Sequence, residues 1–209
     1  MNANITNRKR LTSTPLFFWL FTHFAVILTS CTHSQNKISA TEVDSTPELK
    51  AFSLTSPTFI TGNAIPRLYT CDSSNISPEL RWNKPPGNVK SYALIMDDPD
   101  APMGVWVHWI VFNIPYKYTG ITPQFPTDSV LKDGIRQGIT SFGLFGYKGP
   151  CPPDGLHHYH FKLFALDTTF ATPCATTGEK KLTALMKGHI IVESELIGIY
   201  QRKATLKQE

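Results

Sequence analysis

The segment WVHWIVFNI, residues 106–114, is rich in aromatic and β-branched residues and is apolar at both its odd and its even positions. Residues of these types favour β-strands, and alternate residues of a strand point to opposite faces of its sheet. A strand that is apolar on both faces is typical of the covered interior of a domain. The segment therefore predicts a central, buried strand, on which His108 shares a face with Trp106, Ile110 and Phe112.

Other segments indicate that strands dominate the chain. Residues 91–96 and 157–166 are rich in the same residue types and are bounded by Pro, Gly or Asp, which is a strand signal. Shorter strand candidates are residues 50–54, 67–70 and 195–200. Helices are predicted at residues 177–187, where apolar side chains recur at helical spacing, and at residues 129–136. The pattern predicts a mainly β protein with peripheral helices.

The first 30 residues predict a secretory signal peptide. Basic residues at positions 8–10 precede an apolar run of 13 residues at positions 16–28, which has the layout of such a signal. The next residues, Leu28-Thr29-Ser30-Cys31, resemble the lipobox of bacterial lipoproteins, in which the cysteine is lipidated. Thr32 in place of an aspartate then implies a periplasm-facing lipoprotein of the outer membrane. The alternative is an ordinary signal peptide followed by an unrelated cysteine.

The rest of the chain predicts one tethered domain. Residues 31–48, which begin with the lipidated Cys31, are polar and lack hydrophobic periodicity, so they predict a flexible tether. Residues 49–203 are sufficient for a single core, and residues 204–209 form a C-terminal tail. Removal of residues 1–30 lowers the formal charge from +4 to +1. We therefore expect no nucleic-acid partner, because binding DNA or RNA needs a basic patch.

Three cysteines remain once Cys31 is assigned to lipid: Cys71, Cys151 and Cys174. In an oxidising compartment thiols tend to pair, and three cysteines allow one bridge. Cys71 and Cys151 both lie in loops beside the polar segments described next, which favours a disulfide between them. Burial of the cysteines as free thiols is the alternative.

Polar side chains cluster at two junctions between loops and strands. The sequence MDDPDAPMG, residues 96–104, ends one strand, and GPCPPDGLHHYH, residues 149–160, leads into another. By alternation, His157 and Tyr159 lie at the mouth of the core-facing surface, while His158 and His160 lie on the opposite face. The alternative for the aspartates of residues 96–104 is that they cap turns. The alternative for His108 is that it satisfies a hydrogen bond within the core.

The histidines also raise the question of a metal site. His158 and His160 form a His-x-His pair whose imidazoles point the same way. A zinc site needs further His, Cys or carboxylate ligands with supporting hydrogen bonds. His108, His189 and Asp98 are candidates, but none has a diagnostic spacing. We therefore predict no metal site and no cofactor.

Several short motifs occur in a characteristic order. They are SPELRW (residues 77–82), DPDAP (98–102), HW (108–109), GPCPP (149–153), HHY (157–159) and ELIGIYQR (195–202). This ordered set resembles the phosphatidylethanolamine-binding protein family in its bacterial Raf-kinase-inhibitor-like branch. The resemblance extends over nearly the whole predicted domain and implies a large antiparallel sheet packed against a smaller sheet, with peripheral helices.

The resemblance also implies a small pocket for phosphate-like or other small anionic groups. By motif position, its ligand-binding residues are Asp98, His108, Gly149, Pro150, His157 and Tyr159. Gly149 and Pro150 belong to a loop at the edge of the pocket. Imidazoles and a phenol can donate hydrogen bonds to an oxyanion. A carboxylate repels a phosphate, so we expect Asp98 to orient and charge a histidine.

The leading hypothesis is a lipid-anchored module that binds phosphate or a phosphate ester without turnover and modulates a partner protein. One alternative is a hydrolase that uses His157 as base with Cys151 or Ser141 as nucleophile, or a metal-activated water. The sequence contains no Gly-x-Ser-x-Gly, Walker or His-Glu-x-x-His motif. The other alternative, inhibition of a protease or another protein partner, follows from family analogy alone.

Overall fold

The segments with a strand signal form two antiparallel β-sheets. The computed structural model describes residues 51–202, which belong to one compact unit of the chain. Their strands are β1 (Leu54–Thr55), β2 (Leu80–Trp82), β3 (Ser91–Asp98), β4 (Trp106–Pro115), β5 (Gly120–Ile121), β6 (Arg136–Gln137), β7 (His157–Leu166) and β8 (Ile190–Tyr200). Their α-helix is α1 (Glu179–Met186), and single turns of 3-10 helix span Arg67–Tyr69, Lys132–Gly134 and Cys174–Thr176.

The larger sheet has the strand order β6-β4-β3-β7-β8, and the smaller sheet has the order β1-β2-β5. All these pairings are antiparallel. Residues 62–65 cover part of the outer edge of β8, where Ile199 donates to the carbonyl of Asn63 at 3.0 Å and accepts from the N–H of Ile65 at 2.8 Å. The predicted fold, a large antiparallel sheet packed against a smaller one, is confirmed.

Both faces of the larger sheet are covered, as the sequence of its central segment predicts. Every residue of β3 is buried. One face of the sheet packs against the smaller sheet through Leu80 and Trp82. The other face packs against Leu182 and Met186 of α1. Burial of apolar surface on both sides stabilises the fold and makes β3 and β4 its most enclosed strands.

A β-bulge interrupts the pairing of β4 with β3. Met96 of β3 pairs with Trp109, whereas the next residue, Asp97, pairs with Val107. His108 is therefore an extra residue on β4 with no residue opposite it. An extra residue of this kind interrupts the alternation of side chains and increases the local twist of the strand.

The bulge changes the side of the sheet on which His108 lies. Ile110 and Phe112 pack on the α1 side. The His108 ring instead contacts the ring of Tyr159, edge to face, with the centroids 5.3 Å apart, and Tyr159 belongs to the core on the other side. The prediction that His108 shares a face with Ile110 and Phe112 is therefore wrong, because alternation does not hold across a bulge.

The shorter elements differ from the sequence predictions in part. The helix predicted at residues 177–187 is confirmed as α1. The helix predicted at residues 129–136 is wrong: the chain forms a 3-10 turn at Lys132–Gly134 and then β6. Asp133 and Gly134 have φ values of 59° and 79°, which an α-helix cannot contain.

The predicted strands at the N-terminal end of the domain are also shorter or absent. Residues 67–70 form a 3-10 turn, in which the Tyr69 N–H donates to the Pro66 carbonyl at 2.9 Å, so the strand predicted there is wrong. Of the described part of the strand predicted at residues 50–54, which begins at residue 51, only Leu54 lies in a strand, and residues 195–200 are the second half of β8. Buried side chains such as Tyr69 carry an apolar signal that does not distinguish a short turn from a strand.

The predicted disulfide between Cys71 and Cys151 is confirmed, with the two Cα atoms 5.4 Å apart. It joins the loop after the first 3-10 turn to the loop before β7. Cys174 is a free, buried thiol whose Sγ–H donates to the carbonyl of Ser129 at 3.0 Å. The oxidised pair and the free thiol therefore have different surroundings.

Some predictions concern residues outside the described range. The signal peptide at residues 1–30, the lipidation of Cys31, the tether that ends at residue 48 and the tail at residues 204–209 all lie there, and they stay predictions. Within residues 51–202, no helix combines the length and the apolar character needed to cross a membrane.

We expect the Cys71→Ala/Cys151→Ala double variant to lose about 4 kcal/mol of unfolding free energy, because the disulfide restricts the unfolded chain over a long loop. The two cysteines are separated by 80 residues. Urea unfolding followed by tryptophan fluorescence measures the change. A reductant should destabilise the wild-type protein by a similar amount and leave the double variant unaffected. Equal stability of the wild-type protein and the variant would contradict the structural role of the bond.

Candidate functional site

A cavity of about 360 Å³ lies where β3, β4 and β7 come together. Its polar lining consists of Asp98 at the end of β3, His108 of β4, and His157 and Tyr159 at the start of β7. These strands are neighbours because β3 lies between β4 and β7. The walls are mainly apolar and include Pro102, Met103, Trp106, Phe142, Pro152 and Pro153. The cavity therefore combines a small polar surface with apolar walls.

Asp98 and His157 form a buried pair at the polar end of the cavity. The two side chains are 4% and 6% exposed, and His157 Nδ1 lies 2.8 Å from Asp98 Oδ2. The other carboxylate oxygen accepts a hydrogen bond from the backbone N–H of Asp100 at 2.9 Å. Because Asp98 can only accept, Nδ1 of His157 carries a proton. Asp98 thus fixes the orientation of the ring, and Nε2 is the nitrogen available to a ligand.

His108 is held in a similar way by a different acceptor. Its Nδ1–H donates to the backbone carbonyl of Lys148 at 2.6 Å. Burial lowers the pKa of His108, although the Lys148 carbonyl and the Asp98 carboxylate act in the opposite direction. The imidazole is therefore biased towards its neutral form. In that form Nε2 carries a lone pair and accepts hydrogen bonds.

Tyr159 brings an unpaired hydroxyl to the cavity. Its side chain is fully buried, and its hydroxyl makes no hydrogen bond of ordinary geometry within residues 51–202, although the Asp98 carboxylate and the Cys151 N–H lie close enough to affect its pKa. Burial raises the pKa of the Tyr159 phenol, and the negative charge of Asp98 raises it further. The hydroxyl therefore keeps its proton and can donate it to a ligand. Tyr92 has the only other such unpaired buried hydroxyl within the described range, and it does not line the cavity.

Gly149 and Pro150, also predicted at the site, lie behind the cavity and do not line it. The N–H of Gly149 donates to the side-chain oxygen of Asn75 at 2.8 Å. The carbonyl of Pro150 accepts from the N–H of Cys71 at 3.1 Å. A Cβ atom on Gly149 would lie 2.1 Å from the carbonyl oxygen of Tyr69. These contacts, with the disulfide, fix the loop that carries the wall residues.

The two histidines of β7 on the other face do not form a metal site. His158 contacts Asp100, and His160 contacts Glu195, so each imidazole binds its own carboxylate. In the part of the chain that the structure describes, no group of three or more His, Cys, Asp and Glu side chains has a metal-binding arrangement. Asp100 also accepts a hydrogen bond from the backbone N–H of His158 at 2.8 Å. It ties the loop after β3 to the start of β7.

The structure also bears on the two nucleophiles that a hydrolase would require. The sulfur of Cys151 is bonded to Cys71 and therefore has no thiolate to attack a substrate. The hydroxyl of Ser141 accepts from the N–H of Val107 at 2.9 Å, and Ser141 does not line the cavity. Neither side chain is placed as a nucleophile beside His157.

The apolar walls contain Phe142, which sequence reasoning did not identify, and Trp106, which was predicted on the face of His108 but not as a site residue. Trp106 and Phe142 line the cavity, with their rings packed edge to face and the centroids 5.5 Å apart. Trp106 is the first residue of β4, and its closeness to His108 in the sequence is the signal that could have identified it as a site residue. Phe142 lies in a long loop before β7, where neither periodicity nor composition indicates a role.

The fold and the cavity together define a two-sheet β protein with a polar-ended pocket at the ends of its central strands. The family model described as "Phosphatidylethanolamine-binding protein" matches residues 55–201. The chain is similar to the UPF0098 protein of Methanothermobacter thermautotrophicus, with 51% identity over 138 residues, 66% of this chain and 91% of the relative. The chain belongs to the phosphatidylethanolamine-binding protein family.

Other relatives and solved structures agree with this assignment. The UPF0098 protein of Aquifex aeolicus is 42% identical over 149 residues, 70% of this chain and 86% of the relative. The crystal structure of a phosphatidylethanolamine-binding protein homologue from Chlamydia trachomatis has a TM-score of 0.67 and 36% identity, covering 73% of this chain and 99% of that one. Escherichia coli YbcL, described as a member of the mammalian family, has a TM-score of 0.67, 32% identity and the same coverage.

We expect Gly149→Ala to lower the unfolding free energy by about 2 to 3 kcal/mol, because the new methyl group overlaps a backbone carbonyl. Gly178→Ala is a matched control. A Cβ atom there lies 3.6 Å from its nearest neighbours, and its cost should stay below about 1 kcal/mol. Urea unfolding of both variants provides the measurement. Equal losses would show that the loop adjusts to the added methyl group.

Two tyrosines allow a second comparison. Tyr147 donates from its buried hydroxyl to the carbonyl of Tyr69 at 2.7 Å, so Tyr147→Phe should cost about 1 to 2 kcal/mol of unfolding free energy. Tyr159→Phe removes a buried hydroxyl that has no partner, so the ligand-free protein should be as stable as the wild type or slightly more stable. Thermal and urea unfolding measure both effects. Equal destabilisation by the two substitutions would indicate that the Tyr159 hydroxyl is already paired.

Proposed function

We propose that the domain binds a small anionic ligand, such as phosphate or a phosphate ester, in the cavity lined by Asp98, His108, His157 and Tyr159. The observation that carries this proposal is the fully buried hydroxyl of Tyr159, which lines the cavity beside Asp98 and makes no well-formed hydrogen bond in the described part of the chain. A buried donor without an acceptor is costly and is rarely left so. An oxyanion in the cavity would accept its hydrogen bond.

His157 supplies the positive charge that an anion requires. Its Nδ1–H is held by Asp98, so protonation of the ring adds a second N–H at Nε2. The imidazolium then balances the charge of Asp98, and Nε2–H becomes a charge-assisted donor, which is about twice as strong as a neutral one. In this arrangement the acid acts by orienting and charging the histidine.

We propose that the domain binds its ligand without turning it over and modulates a partner protein. The absence of a free thiol at Cys151 supports binding over covalent catalysis. Met103, an exposed apolar side chain that lines the cavity, supports contact with a protein partner. Such a partner would touch the residues that surround the bound anion.

We also propose that the protein is anchored in the bacterial envelope, facing the periplasm, through lipid on Cys31. The outer membrane is the location that the sequence favours. The disulfide between Cys71 and Cys151 supports an oxidising compartment, because such bonds are rare in the cytosol. Mass spectrometry of the protein purified from a membrane fraction tests the lipid directly.

We expect the affinity for inorganic phosphate to rise at least about tenfold as the pH falls from about 8 to about 5.5, because an imidazole ordinarily becomes protonated in this range and a charge-assisted bond then replaces a neutral one. Isothermal titration calorimetry at several pH values measures the rise. A flat profile for the wild-type protein would remove this role of the histidines.

Two histidine variants show whether the pH dependence of the affinity comes from the protein or from the ionisation of phosphate itself. His157→Gln should lose most of the pH dependence, because an amide does not take up a proton. His189→Gln is the matched control: His189 also binds a carboxylate, that of Asp167 at 2.8 Å, but it does not line the cavity. The control should keep the wild-type profile. If both variants behave alike, His157 is not the titrating group.

A further inference from the structure

His108 offers a ligand a different kind of atom from those of Tyr159 and of His157 in its protonated form. Its Nδ1–H is donated to the Lys148 carbonyl at 2.6 Å, so the neutral ring has its proton on Nδ1 and a lone pair on Nε2. Within residues 51–202 the hydrogen bond to Lys148 is the one of ordinary geometry that His108 makes through its ring, although the backbone of Gly149 also lies near the imidazole. The cavity therefore contains one acceptor beside two side chains that can donate.

The packing around His108 opposes a charge on the ring. The imidazole is 3% exposed and meets the rings of Phe142 and Tyr159 edge to face, each with the centroids 5.3 Å apart. These aromatic neighbours exclude water from the imidazole. Loss of hydration disfavours the charged form of a histidine, so the geometry favours a lone pair at Nε2.

The charged and polar groups around His108 do not reverse this preference. Burial lowers the pKa of His108, and the Lys148 carbonyl raises it by less. The carboxylates of Asp98 and Asp97 and the backbone of Gly149 also raise it, each by a smaller amount. The balance leaves the pKa below the ordinary histidine value of 6.5. The ring is therefore neutral at neutral pH.

We infer that the cavity selects an oxyanion that still carries one proton. Nε2 of His108 accepts a hydrogen bond from the protonated oxygen of the ligand, while His157 and Tyr159 donate hydrogen bonds to its charged oxygens. Hydrogen phosphates, phosphomonoesters and phosphonates are anions of this kind. The inference rests on the anion-binding function proposed above and adds the protonation state of the ligand. Two donors and one acceptor on the protein then match two acceptors and one donor on the ligand.

Anions without a proton should bind poorly for the same reason. A sulfate or sulfonate would direct an oxygen lone pair at the lone pair of His108, or it would require protonation of a buried ring. A buried acceptor without a donor costs enough to weaken binding by roughly tenfold to a hundredfold. The discrimination arises from hydrogen bonding, since the size and charge of the two kinds of anion can be the same.

Methylphosphonate and methanesulfonate form a matched pair of probes. At about pH 6 methylphosphonate carries one proton and one negative charge, because this pH lies below its second ionisation. Methanesulfonate has nearly the same shape and the same charge but no proton. We expect methylphosphonate to bind to the wild-type protein at least tenfold more tightly in isothermal titration calorimetry.

His108→Gln tests whether His108 causes the discrimination. An amide can present either its oxygen or its NH₂ group to a ligand, so this variant should bind the two probes within about threefold of each other. His189→Gln, distant from the cavity lining, should keep the wild-type ratio. Discrimination that persists in His108→Gln overturns the assignment to His108.

Nitrogen NMR of histidine-labelled wild-type protein gives a test that requires neither ligand nor variant stability. The Nε2 signal of His108 should have the chemical shift of an unprotonated nitrogen at about pH 7, because burial disfavours the charged ring. A protonated Nε2 overturns the inference. Equal affinity for both probes also overturns it but leaves the anion-binding function intact. Failure of both probes to bind removes the proposed function itself.

Discussion

His108 is an extra residue in β4 between Val107 and Trp109, and the β-bulge that it forms turns its side chain towards Tyr159. A regular strand would place this imidazole among the apolar side chains on the α1 side of the sheet. The bulge lies in a strand that is covered on both faces, so tight packing on each side holds it in one geometry. The polar end of the cavity is thus produced by a local irregularity in the most enclosed part of the fold.

The opposite wall of the cavity is held by several independent contacts. Asn75 accepts from Gly149, Cys71 donates to Pro150, and a disulfide joins the same two loops. A loop fixed at three points loses little conformational freedom when a ligand arrives, so less of the binding free energy is spent on ordering it. The cavity is therefore largely formed before it is filled, with Asp98 and Lys148 already orienting the two imidazoles.

Much of the fold could be predicted because it depends on simple periodicity. The apolar runs of β3, β4 and β7 identify the buried strands, and alternation places Tyr159 towards the core. The site was predictable mainly through the order of its motifs. The bulge at His108 was not, because nothing in residues 106–114 marks an extra residue. The turn at Asp133 and the wall formed by Phe142 were missed for a related reason: both depend on contacts between distant segments.

The edge of β8 has a consequence for how the protein is made. β8 pairs with β7 along its length, and its end also binds residues 62–65 and, through Tyr200, Asp72 at 2.7 Å. A nascent chain still lacking β8 leaves β7 as an open edge and the segment around Asn63 without its partner. Closure of the larger sheet must therefore wait until β8 is available to pair, so the domain completes its folding late, as a single unit.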